Sequence, residues 1–214
     1  MKKIVIHPTY FPGILAMSKM IFTDKLVFEV NDFYEKQTYR TRMHILSPNG
    51  KQSLSVPVKH TKSDGKQYYK DVRISYDFDW QKLHWRSLET AYRTSPYFEF
   101  YEDDIKPLFF QKEEKLVDYN IKLIQSLWDL LEIEKDFDLT TEYKKEYPSF
   151  CDLRNLKEAK KDPVITNKFP AYTQVFSNKF PFIPNLSFLD LLFMEGPNSL
   201  DYLEQIHKIT ESEF

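Results

Sequence analysis

The stretch Lys2 to Val30, KKIVIHPTYFPGILAMSKMIFTDKLVFEV, decides the fold. Lys2 to Ile6 is a short apolar run that ends at His7-Pro8, the pattern of a buried strand entering a loop. Ile14 to Phe22 then places apolar residues at helical spacing, and Leu26 to Val30 reads as a second strand. Strand, helix and strand within about 30 residues is the economy of a right-handed parallel crossover. Such a unit opens the loop His7 to Gly13 at the carboxyl edge of the sheet, where open α/β sheets bind ligands.

Downstream, Tyr34-Glu35-Lys36-Gln37-Thr38-Tyr39-Arg40-Thr41-Arg42 concentrates ionic, amide and phenolic groups just before a strand over Met43 to Leu46. Ser47-Pro48-Asn49-Gly50 is a type I turn signal, so Leu54 to Val58 forms the second arm of a hairpin, with a bulge at Gly50. Pro57 places that arm at an edge or ends it. Lys59 to Tyr69 reads as a mobile loop, and Val72 to Ile74 as a last short strand. From Asp79, a fair N-cap, helical stripes take over: Trp80, His84, Leu88 and Ala91; then Phe98, Tyr101, Ile105 and Leu108, kinked or divided at Pro107; then Leu116 to Leu130. Asp138 to Ile183, with four prolines, is irregular. Ser187 and Asp190 make a capping box for Leu186 to Met194, Gly196-Pro197 stops that helix, and Asn198 caps the last one, which ends near His207. The expectation is α/β: a single domain over residues 1–214, a mixed sheet from the N-terminal third, and helices covering it.

Charge and cysteine usage narrow the function. Thirty Lys and Arg against 32 Asp and Glu give a formal net charge of −2, so no global basic field would hold nucleic acid or acidic lipid. Cys151 alone excludes a disulfide framework and a multi-cysteine zinc site, and suits a reducing, cytoplasmic setting. Ile4-Val5-Ile6 is too short for a signal-peptide core, and Leu186 to Met194 falls far below the roughly 20 residues of a membrane span. No metal-ligand spacing and no glycine-rich phosphate loop occur, so neither a metal nor a cofactor is expected.

Several residues could carry chemistry. Period-two alternation sends Arg40, Arg42 and His44 to one face, where two guanidinium groups make a fork for phosphate or carboxylate; the alternative is a solvated face beside Asp32 and Glu35. His7 and Tyr10 offer an imidazole and a phenol in the ligand-edge loop, as a general base or as a strand end bonded to nearby backbone. His84 shares its helix stripe with Trp80 and Leu88, which suits a hydrogen-bonded core histidine as well as a proton carrier. Lys36 is a phosphate ligand or a solvated lysine. The aromatic cluster Phe98, Phe100, Tyr101, Phe109 and Phe110 sits beside Glu99, Glu102, Asp103 and Asp104, which argues for core packing rather than base stacking.

Several of these stretches together resemble the WbqC-like family of bacterial proteins. The matching pieces are Ile6-His7-Pro8-Thr9-Tyr10-Phe11-Pro12, Lys36 to Arg42, Asn49-Gly50 with Leu54 to Val58, His84-Trp85-Arg86 with Ala91-Tyr92 and Ser95 to Phe98, and Pro184 to Phe193 with Gly196-Pro197. The chain departs from the family's opening at His7, which stands where a glutamine is usual, and at Gly13, which stands for a Trp. The resemblance implies a transferase of surface-polysaccharide (O-antigen) biosynthesis acting on an anionic, nucleotide-linked sugar or acyl substrate. Arg40, Arg42 and Lys36 would then hold phosphate; Gln37, Asn185 and Asp190 would orient the substrate; His7, Tyr10 or His84 would move a proton. The alternative is a non-catalytic binding module for a sugar phosphate or a protein partner. Nucleic acid and membrane are not expected partners, and association with further copies of the chain is left open.

Overall fold

A computed structural model of the chain describes residues 3–59, 67–160 and 162–213. The opening unit is β1 (Lys3–Ile6), α1 (Ile14–Ile21) and β2 (Lys25–Phe28), with β1 and β2 parallel and in register from Lys3↔Lys25 to Ile6↔Phe28. All eight residues of α1 are buried, which suits a helix apolar nearly all round. Its two polar members are absorbed: Ser18 Oγ donates to the Leu203 carbonyl and Lys19 Nζ to the Thr210 carbonyl.

β3 (Arg42–Ser47) and β4 (Gly50–Ser55) form the hairpin, paired from Arg42↔Ser55 to Ser47↔Gly50. No residue is skipped in that ladder, so the bulge expected at Gly50 is absent; Gly50 reverses the chain instead through its φ of 99°. The hairpin is a sheet of its own. The α/β class therefore stands, with parallel and antiparallel pairing divided between two sheets rather than mixed in one. Val58 and Ile74 form a single bridge, not a strand, and residues 60–66 of the loop read as mobile lie outside the described residues.

Three helices follow: α2 (Trp80–Tyr92), α3 (Phe98–Phe110) and α4 (Leu116–Leu130). Asp79 makes no side-chain cap, and Pro107 neither ends nor divides α3. It sits in the last turn, where its missing N–H deprives only the exposed Asp103 position of a helical partner. The irregular segment contributes two very short strands, β5 (Phe137–Leu139) and β6 (Cys151–Asp152), which complete the parallel sheet in the order β5-β2-β1-β6. Half of that sheet thus comes from outside the N-terminal third.

α5 (Phe188–Glu195) is capped by Ser187 Oγ, which accepts from Leu189 N. Asp190 does not complete the capping box, because its carboxylate is turned into the core. α6 (Ser199–Ile209) follows Gly196-Pro197 without a side-chain cap from Asn198. One continuous apolar core runs from β1 and α1 through α2, α3 and α4 to α5 and α6. Among the described residues no helix is long and apolar enough to cross a membrane.

Candidate functional site

The four parallel strands end side by side, and the residues that leave them meet at one edge. Glu29 N donates to the Ile6 carbonyl, Thr140 N to Phe28 O, and Leu153 N to Val5 O, each at 2.8 to 3.0 Å. His7, Glu29, Thr140 and Arg154 are therefore brought together from four separate stretches by the sheet alone.

Glu29 is fully buried and acts as the tie. Its Oε1 accepts from Asn31 N at 2.8 Å and Thr140 Oγ1 at 2.9 Å, and its Oε2 accepts from the Tyr147 hydroxyl at 3.0 Å. Burial and the neighbouring Glu29 push the Tyr147 phenol up to about 12. Arg154 grips both oxygens of Asp152 and donates to the carbonyls of Lys144 and Lys145 at 2.8 and 2.9 Å. Its donors are thereby committed to holding the 140s loop against β6, and little of it is left for a ligand.

His7 lies one layer deeper. Its Nδ1 is 3.1 Å from the Glu29 carbonyl, which can only accept, so Nδ1 carries the proton and Nε2 the lone pair. Nε2 is 3.1 Å from Asp32 Oδ2 but in an approach that makes no hydrogen bond. Burial pushes the imidazole down to about 4; the Asp32 contact opposes this, and the Arg40 and Lys157 cations add to it. Asp32 Oδ2 also receives Lys157 Nζ at 2.9 Å, and Lys157 in turn reaches Glu35 at 3.2 Å. Burial works to raise the Asp32 carboxyl, but the Lys157 ammonium outweighs it and holds it well below the usual carboxylate range.

In front of this cluster lies an open cleft of about 510 Å³, lined by Asp32, Glu35, Tyr143, Asp152, Arg154, Asn155, Lys157 and Glu158. Four carboxylates face two cations, so its walls favour hydroxyl and amine donors over anions.

The residues singled out in the sequence are spread over several places. His7 stands behind the cleft. Tyr10 and His84 are buried partners of each other, hydroxyl to Nδ1 at 2.9 Å, enclosed by Trp80 and Tyr119. Arg40 and Arg42 do not share a face: Arg40 belongs to the turn before β3, where strand alternation does not hold, and is fully buried, whereas Arg42 opens the strand and is partly buried. Lys36 and Gln37 are exposed at a turn, outside the cleft lining. Asn185 pins the start of α1 by accepting from Leu15 N at 2.9 Å, and donates to Asp162 at 2.7 Å. Asp162 also accepts from the Tyr39 hydroxyl and pairs with Lys51. Asp190 is fully buried between the Tyr92 and Tyr172 hydroxyls and Gln174. Its carboxyl is raised by burial, which those hydrogen bonds only partly offset.

The sequence does not single out Glu29 or Lys157 as site residues, and it leaves open whether Asp152 and Arg154 reach the site. Glu29 was within reach as the residue leaving the second strand at the ligand edge. Asp152 and Arg154 had no periodic signal, because their strand is two residues long. Among the described residues, no group of three or more His, Cys, Asp and Glu side chains is arranged to hold a metal ion.

A short parallel sheet with its polar cleft at the carboxyl ends of the strands places the chain among α/β proteins that carry their site at that edge. The profile of the WbqC-like protein family matches residues 7–162, and the chain belongs to that family. It is similar to an uncharacterized protein of Mycobacterium tuberculosis, Rv1507c, with 24% identity covering 95% of this chain and 98% of that one. No solved structure matches.

Proposed function

We propose that this chain is a transferase that modifies a sugar in surface-polysaccharide biosynthesis, with the reacting groups in the cleft at the carboxyl edge. One observation carries the reading: the Asp32 carboxylate, at the floor of the cleft, sits between the lone-pair nitrogen of His7 at 3.1 Å and the Lys157 ammonium at 2.9 Å. Transfer of a group to a sugar hydroxyl or amine releases a proton from the acceptor. Asp32 faces the cleft and can take it once Lys157, which helps to hold its carboxyl low, turns to the donor, with His7 Nε2 behind. Among the described residues Lys157 is held only by the Asp32 and Glu35 carboxylates, so it can turn to an anionic group on the donor. The acidic lining of Glu35, Asp152 and Glu158 offers acceptors to the hydroxyls of a sugar.

The test incubates the protein with nucleotide sugars and acyl carriers as donors and with free sugars and amino sugars as acceptors, and reads products by mass spectrometry. Asp32→Asn, with its circular dichroism unchanged, should lower turnover by about 100-fold or more. Full turnover in that variant would sink the assignment. Saturable binding of a sugar phosphate with no product from any pair would favour the second reading, a binding module using the same cleft.

A further inference from the structure

Three aromatic rings from distant stretches make a ledge running out of the cleft. The rings of Phe33 and Tyr68 are stacked, with centroids 4.9 Å apart and planes 22° apart, and Tyr143, which lines the cleft, lies 6.0 Å from Phe33. Tyr68 and Tyr143 each keep 42% of their surface exposed. Scattered exposed aromatics are ordinary on a protein surface; contiguous ones opening onto a polar cleft mark a binding surface.

The ledge is also held in place. Phe33 and Tyr68 face each other across an antiparallel bridge, flanked by Tyr34 N donating to the Gln67 carbonyl at 2.7 Å and Tyr69 N to the Asp32 carbonyl at 2.8 Å. Tyr143 is steadied by the Arg154 guanidinium, 5.6 Å from its ring centroid, and that arginine anchors the next two residues through their carbonyls. Rings fixed before a ligand arrives lose little freedom on binding it.

We propose that this ledge is the stacking subsite for the nucleobase of a nucleotide-linked substrate, whose ribose and phosphate run into the cleft; this rests on the transferase reading of that cleft. The Phe33 and Tyr68 rings are stacked on each other, and a planar base continues such a stack, since every base offers a π face. The ribose hydroxyls find carboxylate acceptors in Asp152 and Glu158, and the phosphate finds Lys157. Because the cleft walls carry more carboxylates than cations, charge attraction contributes little and stacking carries much of the affinity. Binding should therefore weaken only modestly with added salt.

The experiment titrates the full chain calorimetrically with UMP, CMP, GMP, AMP and TMP, and with ribose 5-phosphate and glucose 1-phosphate, for the wild type, Tyr143→Ala, Tyr68→Ala and Tyr143→Phe. At least one nucleotide should bind about tenfold or more tighter than ribose 5-phosphate; each alanine variant should lose about tenfold, and Tyr143→Phe should retain affinity. Nucleotide binding unchanged in well-folded alanine variants would overturn the subsite, as would no nucleotide binding at all. If glucose 1-phosphate alone binds, the ledge proposal falls while the transferase reading survives. If nucleotides bind through the ledge but no donor and acceptor pair yields product, the subsite stands and the transferase reading falls.

Discussion

Acidification should unfold this chain through three histidines before most of its carboxylates are protonated. His7, His44 and His84 are all buried, and burial brings each down to about 4. The secondary causes differ. Arg40 and Lys157 add to the effect at His7 while Asp32 opposes it; Lys51 and Arg42 add at His44 while Asp162 opposes; the Ser55 backbone opposes at His84. Above about pH 6.5 the imidazoles are neutral in both the folded and unfolded chain, and they contribute no pH dependence. Below it the unfolded chain binds protons that the native chain refuses until about pH 4, so stability falls across that window. At about 1.4 kcal/mol per pH unit, each histidine costs about 3 kcal/mol, and the three together approach the whole stability of an ordinary domain, about 5 to 15 kcal/mol.

Two buried carboxyls modify the picture without reversing it. Asp32, held low, adds its loss only below the usual carboxylate range. Asp190, held high, has the opposite sign: stability is lost as pH rises through its native value, so acid relieves it. Urea denaturation followed by tryptophan fluorescence, repeated from neutral pH down to about pH 5, measures the sum. The slope should steepen toward three protons, about 4 kcal/mol per pH unit, and His84→Gln should remove about one of them. A stability flat to about 1 kcal/mol over that range would refute the reasoning, because buried neutral histidines cannot be silent there.

Two further outcomes test the scaffold around the site. Gly196 has a φ of 54° and a ψ of −125°, and a Cβ there would lie 2.5 Å from Tyr97 Cδ1, so Gly196→Ala should cost about 2 to 4 kcal/mol in chemical denaturation. Arg154→Lys keeps the charge but loses the planar grip on Asp152 and on the carbonyls of Lys144 and Lys145. Amide exchange in the 140s loop should then speed by about tenfold, with the rest of the chain unchanged.

What could be read in the sequence was local. The strand, helix and strand that open the chain each have a clear period and put the His7 loop at the carboxyl edge, and the parallel pairing of β1 with β2 bears this out. The other half of the sheet was hidden, since strands of three and two residues are too short to show alternation. Cys151-Asp152 is a strand only because β1 already offers an edge. The arginine pair fails for the opposite reason: Arg40 lies two residues upstream of Arg42, in a turn where side chains follow no fixed parity. Asp190 lay in an apolar helix where a cap was the economical reading. Nothing local announces that Tyr92 and Tyr172, far apart in the chain, bring their hydroxyls to its carboxylate.

Arg40 shows what this means for the site. Its guanidinium lies 5.6 Å from the Tyr34 ring centroid and 5.0 Å from that of Tyr69, with Nη1 donating to the Phe33 carbonyl and Nε to Thr38 Oγ1. Nη2 has no partner, and among the described residues no carboxylate pairs with this arginine. A buried cation without a counter-ion is expensive, so two ring faces and a carbonyl must offset its desolvation. Its backbone carbonyl accepts from Asn120 on α4, which also donates to the Tyr69 hydroxyl, and that hydroxyl donates to the Pro8 carbonyl. The turn, the helix and the loop after β1 are thus one hydrogen-bonded unit. Within it the trapped charge disfavours protonation of His7. An arginine that in sequence resembled a ligand's phosphate clamp therefore acts one layer beneath the cleft, keeping the imidazole behind Asp32 uncharged at neutral pH.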